Sequence, residues 1–237
     1  MKPLFRSFSM FILQIARDRM LYAVCISPVL AGLFFRFGIP YIETLLCSTF
    51  QETSILKEYY LLFDLFLCTL TPFLFCFSAS MVVLTEHDEN MTRYLAVTPV
   101  GKKGYLISRF LFPAAISFIV SMLLLQVFSL TVWHASMMLI VCLLGSLLCV
   151  ATSLLVVGLS RNRVEGMAVT KLSGMVLMGL IVPFFVISKV QYLFFFLPSF
   201  WLAKLSRDGN YFLLVPSAAA SLIWIFLLYR RSEKKLA

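Results

Sequence analysis

The chain has 237 residues, of which 61% are hydrophobic and 13% charged, and its formal net charge is +9. A soluble domain carries roughly 45–50% apolar and about 25% charged residues, so a water-soluble fold is excluded and a membrane-embedded chain is expected. The basic residues stand in short clusters between apolar runs rather than in one stripe, which argues against a nucleic-acid partner and for membrane topology.

The first predicted element is a helix over residues 1–18 that lies on the membrane surface. Its apolar side is typical of an amphipathic interfacial helix, and the residues on that side are Leu4, Phe8, Phe11 and Ile15. No small-residue cleavage site precedes Arg17, so we expect this segment to be retained rather than removed as a signal peptide.

Six transmembrane helices are predicted from apolar runs of spanning length. No charged residue occurs between Arg109 and Arg161, which is enough chain for two spans joined by a tight hairpin near residues 133–135. The other predicted spans are residues 20–35, 61–84, 172–187 and 211–229. Between the last two, residues 188–210 are rich in aromatic side chains, which predicts a re-entrant segment of short helices at the outer interface. The fold class is therefore all-α and polytopic, and residues 1–237 form a single membrane domain.

The distribution of the 20 basic residues predicts the orientation. Six spans place both termini on one side, and with the termini inside, fifteen basic residues are cytoplasmic. Only five remain outside, namely Arg36, Lys57, Lys189, Lys204 and Arg207. The positive-inside rule therefore predicts a multi-pass protein of the plasma or inner membrane with cytoplasmic termini.

Two polar residues near the outer side could form an intramembrane pair. Asp64 lies inside the second predicted span, where a carboxylate is costly and a functional role is the default hypothesis. Arg36, at the outer end of the first span, is its natural partner. Two other readings stay open: Asp64 could reach interfacial water, or the pair could be purely structural.

Disulfide and metal chemistry are not indicated. Five of the six cysteines lie inside apolar stretches and no two form a C-x-x-C pair, so they are interpreted as small buried hydrophobes. His87 and His134 fall on opposite sides of the membrane in the predicted topology. We expect no catalytic, cofactor or metal site on this chain.

The longest polar interruption, residues 85–104, is predicted to be a cytoplasmic loop between the second and third spans. Its acidic cluster favours the first turn of a helix, and Thr98 before Pro99 ends one, so a short helix from Asp88 to Val97 is predicted. An ordinary solvated turn is the alternative.

This loop resembles the coupling segment of the type-2 ABC exporter permeases, with its acidic cluster, short helix, Leu-x-x-Thr-Pro ending and Lys-rich turn. The order of surface helix, six spans, short outer hairpin and re-entrant segment is similar as well. One departure is Asn90-Met91, which stands where the family commonly has a Gly-Thr pair. The Leu-Ala-Val-Thr-Pro run is similar to that of drug-export types such as the fluoroquinolone exporters.

The resemblance implies a dimer, with a second copy or a related permease, whose loops dock onto ABC ATPase subunits. The ATPase-coupling residues that it implies are Glu86, Asp88, Glu89, Thr92, Arg93, Tyr94, Leu95, Thr98 and Pro99. The chain has no Walker-type phosphate loop, so ATP and Mg²⁺ are expected on the partner subunit, and this chain is expected to be a permease rather than an enzyme. Substituting both Glu86 and Arg93 by alanine is expected to uncouple transport from ATP and leave the protein inserted.

Two functions from other classes remain as alternatives. An ion-coupled secondary transporter predicts repeated polar pairs at mid-membrane. An intramembrane enzyme needs clustered Glu, His, Asp or Cys at membrane depth. The sequence contains neither pattern, and it does not name the substrate.

Overall fold

The computed structural model describes residues 2–89, 104, 105, 107–186 and 188–236. In this part of the chain all regular structure is helical. The α-helices are α1 (Lys2–Arg17), α2 (Arg19–Leu33), α3 (Ile39–Phe50), α4 (Tyr60–Asp88), α5 (Phe112–Phe128), α6 (Ala135–Leu159), α7 (Arg163–Ser173), α8 (Val182–Phe185), α9 (Pro198–Asp208) and α10 (Leu214–Leu236). Shorter π-helical and 3₁₀ segments extend or join several of them, at Phe34–Gly38, Lys57–Tyr59, Ile107–Leu111, Gly174–Leu180, Lys189–Phe194 and Tyr211–Leu213.

Within the described residues, six helical stretches are long and apolar enough to cross a membrane, which confirms the predicted all-α polytopic class. They are Arg19–Phe50, Lys57–Asp88, Ser108–Phe128, Ala135–Leu159, Arg163–Phe185 and Tyr211–Ser232, and we number them as spans one to six. The hairpin predicted between spans three and four is present at residues 129–134.

Spans one, two and five are longer than predicted. The predicted limits followed apolar runs and stopped at the first charges, but backbone hydrogen bonding continues past them. In span one a π-helical segment, Phe34–Gly38, carries α2 directly into α3 through Arg36. Arg36 therefore lies within the helical stretch of span one and does not end it.

Spans two and four form the centre of the bundle. In each of these two spans, 72% of the most apolar stretch of 18 residues is buried, against 17% in span one and 11% in span six. Small polar residues bring α4 and α6 together, since the hydroxyl oxygens of Ser80 and Ser153 lie 2.7 Å apart and Ser153 Oγ donates to the carbonyl of Cys76. The serines of α4 therefore serve close helix packing, the role that small residues commonly play between membrane helices.

Helix α1 packs along one end of the bundle through the side that the sequence predicted. Phe11 is buried, and Phe8 and Ile15 pack against the same apolar cluster. Leu4 belongs to the predicted side as well, but its side chain lies outside the described part of the structure. At the same end Ser232 of α10 donates to the carbonyl of Leu154, so the first and last helices meet the bundle at one end.

The segment between spans five and six folds into two short helices, Lys189–Phe194 and α9. Short helices were predicted here, and their position at the outer interface stays a prediction. Lys189–Phe194 is a 3₁₀ helix with exposed aromatic side chains, and α9 turns back with Phe200 fully buried. Ser199 Oγ donates to the carbonyl of Val176 in span five. This bond attaches α9 to the 3₁₀ segment Gly174–Leu180.

Candidate functional site

The end of α4 is the candidate site, because it leads into the predicted coupling segment. The helix continues to Asp88, and the amide of Glu89 still donates to the carbonyl of Thr85 over 3.0 Å. The acidic cluster therefore lies at the C-terminal end of the long helix α4. The prediction that a short helix begins at Asp88 is wrong. The local hydrogen bonding of span two continues into the polar residues and sets this boundary.

Several predicted coupling residues fall outside the described part of the chain. These are Thr92, Arg93, Tyr94, Leu95, Thr98 and Pro99. Of the predicted set, the structure places Glu86, Asp88 and Glu89.

Glu86 is not a surface residue. Its side chain is 1% exposed and forms an ion pair with Arg109, whose side chain is also 1% exposed. Arg109 donates through Nε and Nη2, over 3.1 and 2.5 Å, and the Tyr105 hydroxyl donates over 2.8 Å. The Arg109 guanidinium also lies 5.2 Å from the centre of the Phe11 ring. This cluster fixes the end of α4 to the start of span three and to α1.

Burial raises the pKa of the Tyr105 phenol, and the neighbouring Glu86 charge raises it further. Tyr105 therefore stays protonated and remains a hydrogen-bond donor at physiological pH. The Glu86 carboxylate is held between a cation and a neutral donor, which is the full pairing that a buried charge requires.

A second group of charges joins α2, α4 and α7. Asp18 caps α2 by accepting from the amides of Met20 and Leu21, and it also forms an ion pair with the Arg163 guanidinium. The Arg163 amide donates to the Asp88 carboxylate over 3.0 Å. One residue at the start of span five thus contacts the beginning of span one and the end of span two.

The Asp18 carboxylate is ionised at neutral pH. Partial burial raises its pKa, but the hydrogen bond and charge of Arg163 and the amides of Leu21 and Met20 outweigh this, so the pKa lies below its ordinary value of 3.8. A lowered pKa contributes stability above the ordinary value and loses it as the pH falls through the folded-state value. The contact is therefore intact throughout the physiological pH range.

An open cavity of about 430 Å³ lies between these helices. Its polar lining residues are Gln14, Arg17, Asp18, Thr85, Glu89 and Arg163. Gln14 Oε1 and Arg163 Nε are buried without a hydrogen-bond partner in the described structure. Buried polar atoms without a partner within the chain can be satisfied by an ordered water or an ion.

We predict that Asp18→Asn and Asp18→Ala differ in a way that separates the two roles of this residue. Asparagine caps a helix as well as aspartate, so Asp18→Asn removes only the partly exposed ion pair and costs about 0.5–1 kcal/mol. Asp18→Ala also removes the cap and costs about 1 kcal/mol more. Thermal unfolding of the purified protein measures both, and equal losses would contradict the capping role.

The predicted pair of Arg36 and Asp64 does not form. Asp64 is 1% exposed, so it does not reach interfacial water, and Arg36 donates instead to the carbonyl of Ser129 over 2.8 Å. The Asp64 carboxylate accepts from the amides of Leu130 and Thr131, from the Thr131 hydroxyl and from the Trp133 indole. Both residues therefore bind the hairpin between spans three and four rather than each other.

Sequence reasoning missed Tyr105, Arg109, Asp18 and Arg163 as members of the site. The sequence showed Arg109 and Arg161 at the two ends of a long uncharged stretch. A charged residue at the end of a span is expected to have a partner. The identity of the partner is not visible, because Glu86 and Arg109 are 23 residues apart and Asp18 and Arg163 are 145 apart.

A family model described as "Fluoroquinolones export permease protein Rv2686c-like" matches residues 11–229. Two relatives, the fluoroquinolones export permease proteins MT2760 and Rv2686c of Mycobacterium tuberculosis strains CDC 1551 / Oshkosh and ATCC 25618 / H37Rv, are each 29% identical to this chain over 168 residues. The match covers 67% of this chain and 66% of each relative, which is just under two thirds of the relatives' length.

Proposed function

Because the chain belongs to the Rv2686c-like family of fluoroquinolone export permeases, we propose that it is the membrane subunit of an ATP-driven exporter. The relatives' names refer to fluoroquinolone export, and we extend export of drug-like amphiphiles to this chain as part of the proposal. It works as a dimer, in the plasma or inner membrane, with both termini in the cytoplasm.

The attachment of the α4 end to the rest of the bundle carries this proposal. Glu86 is bound to Arg109, and Asp88 to the Arg163 amide. If the segment that follows α4 moves, the end of α4 moves with it. The contacts of Glu86 and Asp88 would then transmit this movement directly to spans three and five. An ATPase that binds residues 90–103 would move the membrane helices through these contacts.

The pairing of intramembrane carboxylates favours this function over ion-coupled transport. Ion-coupled carriers commonly use a carboxylate within the spans to bind and release the ion. Asp64 already accepts four hydrogen bonds, Glu86 is bound to Arg109 and Tyr105, and Glu43 accepts from the amides of Ile55 and Leu56. These three buried carboxylates hold the fold.

Affinity purification from native membranes tests the proposal. We expect the tagged chain to recover an ABC ATPase, identified by mass spectrometry, and the complex to hydrolyse ATP. Recovery of the chain without any ATPase, under mild detergent and after crosslinking, would overturn the proposal.

Within that complex, substituting Arg93 and Tyr94 together by alanine is expected to weaken ATPase recovery roughly tenfold, because Arg and Tyr are the residue types that most often dominate an interface. The matched control is Arg207→Ala with Tyr211→Ala, at the opposite end of the bundle. Normal ATPase recovery with the first pair would place the docking surface elsewhere on the chain.

A further inference from the structure

Two cavities lie between spans one, two and five, one after the other along the helix axes. The walls of the first, the open cavity of about 430 Å³, include Asp18, Glu89 and Arg163, each within one residue of the end of a span. The second, of about 400 Å³, lies deeper within spans two and five and has a mostly apolar lining. Its residues that matter here are Phe73, Leu74, Phe77, Met167, Lys171 and Gly174. The space between the three spans is therefore polar where the spans end and apolar within them, as the headgroup and hydrocarbon layers of a bilayer are.

The first cavity presents charges of both signs. Arg17 and Glu89 line it and are exposed, and neither forms an ion pair within the described residues. The Arg163 side chain is 29% exposed, and its guanidinium binds Asp18. A guest with one anionic and one cationic group can pair with Arg17 and Glu89 together. A guest that carries only an anion would leave the Glu89 carboxylate beside a like charge.

Two polar atoms in the walls of the first cavity indicate which kind of cation fits. Gln14 Oε1 and Arg163 Nε are buried and have no hydrogen-bond partner within the described structure. With Glu89 and Arg17, they favour a guest that carries both N–H donors and oxygen acceptors. A primary ammonium has three N–H donors, whereas a quaternary ammonium has none. Phosphate oxygens are the matching acceptors for the guanidinium groups.

We propose that this space binds a phospholipid with a phosphoethanolamine headgroup. The phosphate lies between Arg17 and Arg163, the ammonium faces Glu89, and an acyl chain occupies the apolar cavity beside Phe73 and Phe77. A lipid is the source of the headgroup, because the polar cavity lies where the spans end and the apolar cavity follows it. The inference concerns a lipid bound to the protein, and it depends neither on the exported molecule nor on an ATPase.

Titration with three phospholipids of identical acyl chains and different headgroups tests the proposal. The full chain is purified in detergent, and native mass spectrometry counts each bound molecule of the ethanolamine, choline or glycerol lipid. We expect the ethanolamine lipid to bind about fivefold more tightly than either of the others, an effect of the size given by one partly exposed charge pair.

Two substitutions at exposed positions separate the contacts of the ammonium from those of the phosphate. Glu89→Gln should remove the preference for the ethanolamine lipid and leave binding of the choline lipid unchanged. Arg17→Gln should weaken binding of all three lipids about threefold, because each contains a phosphate. Size-exclusion chromatography checks that both variants are folded.

Three control variants carry matched changes of charge outside the polar cavity. Arg19→Gln removes an exposed arginine two residues from Arg17, and Glu58→Gln removes an exposed carboxylate before span two. Lys171→Gln removes the basic residue of the apolar cavity. All three should leave the binding of every lipid unchanged. Equal losses from Lys171→Gln and Arg17→Gln would place the headgroup elsewhere and overturn the assignment.

Four other outcomes would also overturn it. The wild type could bind the three lipids equally, or its preference could survive Glu89→Gln. Tighter binding of the glycerol lipid than of the ethanolamine lipid would show a site for anions alone. Displacement of the lipid by equimolar free phosphoethanolamine would show a site for a soluble ligand.

Discussion

Replacing Glu86 by alanine is expected to destabilise the folded chain by about 3–5 kcal/mol, because removing one partner of a buried ion pair leaves the other charge uncompensated. The Arg109 side chain is 1% exposed and loses its carboxylate, while the Tyr105 hydroxyl loses its acceptor. Thermal unfolding of the detergent-purified protein, followed by size-exclusion fluorescence, measures the loss.

Two variants separate charge burial from simple loss of contact. Tyr105→Phe removes one hydrogen bond and should cost only about 1 kcal/mol. Glu86→Leu combined with Arg109→Met should be less damaging than either change alone, since an apolar pair of similar volume often replaces a buried ion pair at little cost. Unfolding of Glu86→Ala at the wild-type temperature would contradict the buried pair.

The buried Glu86–Arg109 pair also revises the expectation that Glu86→Ala, with Arg93→Ala, uncouples transport and leaves the protein inserted. The burial of Glu86 means that any transport defect of that variant includes a defect of folding. Arg93, which lies outside the described residues, is the better position at which to test docking.

Replacing Asp64 by alanine is expected to cost about 3 kcal/mol or more, because hydrogen bonds to a charged group are each worth about 1.5–3 kcal/mol. The substitution frees two amides, a hydroxyl and the Trp133 indole in the hairpin between spans three and four. We expect a lower unfolding temperature and faster amide exchange at residues 129–133.

Glu58→Ala is the matched control, because Glu58 is an exposed acidic residue shortly before Asp64. This substitution should change the free energy of unfolding by less than about 0.5 kcal/mol. Asp64→Asn should lie between the two, since its amide oxygen still accepts while its NH₂ group faces other donors. Equal behaviour of Asp64→Ala and Glu58→Ala would show that the hairpin does not depend on this carboxylate.

The bundle could be predicted from the sequence because apolar length is a local property. Twenty or so consecutive apolar residues must form a helix in lipid, where every backbone group needs a partner within the segment. The uncharged stretch between Arg109 and Arg161 is the clearest case, and the structure divides it into α5 and α6. The predicted limits of the spans were less accurate, because they were set at charged residues. The helical stretch of span one continues through one such residue, Arg36.

The polar contacts could not be predicted, because they join residues that are far apart in the chain. The sequence requires a partner for Asp64 but does not say that the backbone amides of a hairpin provide it. The acidic cluster was predicted to form the first turn of a short helix in a cytoplasmic loop, yet Glu86 is buried and Glu89 lines an open cavity. Glu86 and Glu89 are three residues apart, which is less than one helical turn. Only the packing of neighbouring helices decides which of the two side chains is buried.

The junction between α1 and α2 consists of Asp18 alone, in an extended conformation at φ −87° and ψ 107°. One residue provides no slack, so α1 cannot slide independently of span one. A displacement of α1 would therefore be transmitted to α2 through Asp18, and it would change the width of the cavity that Gln14, Arg17 and Asp18 line.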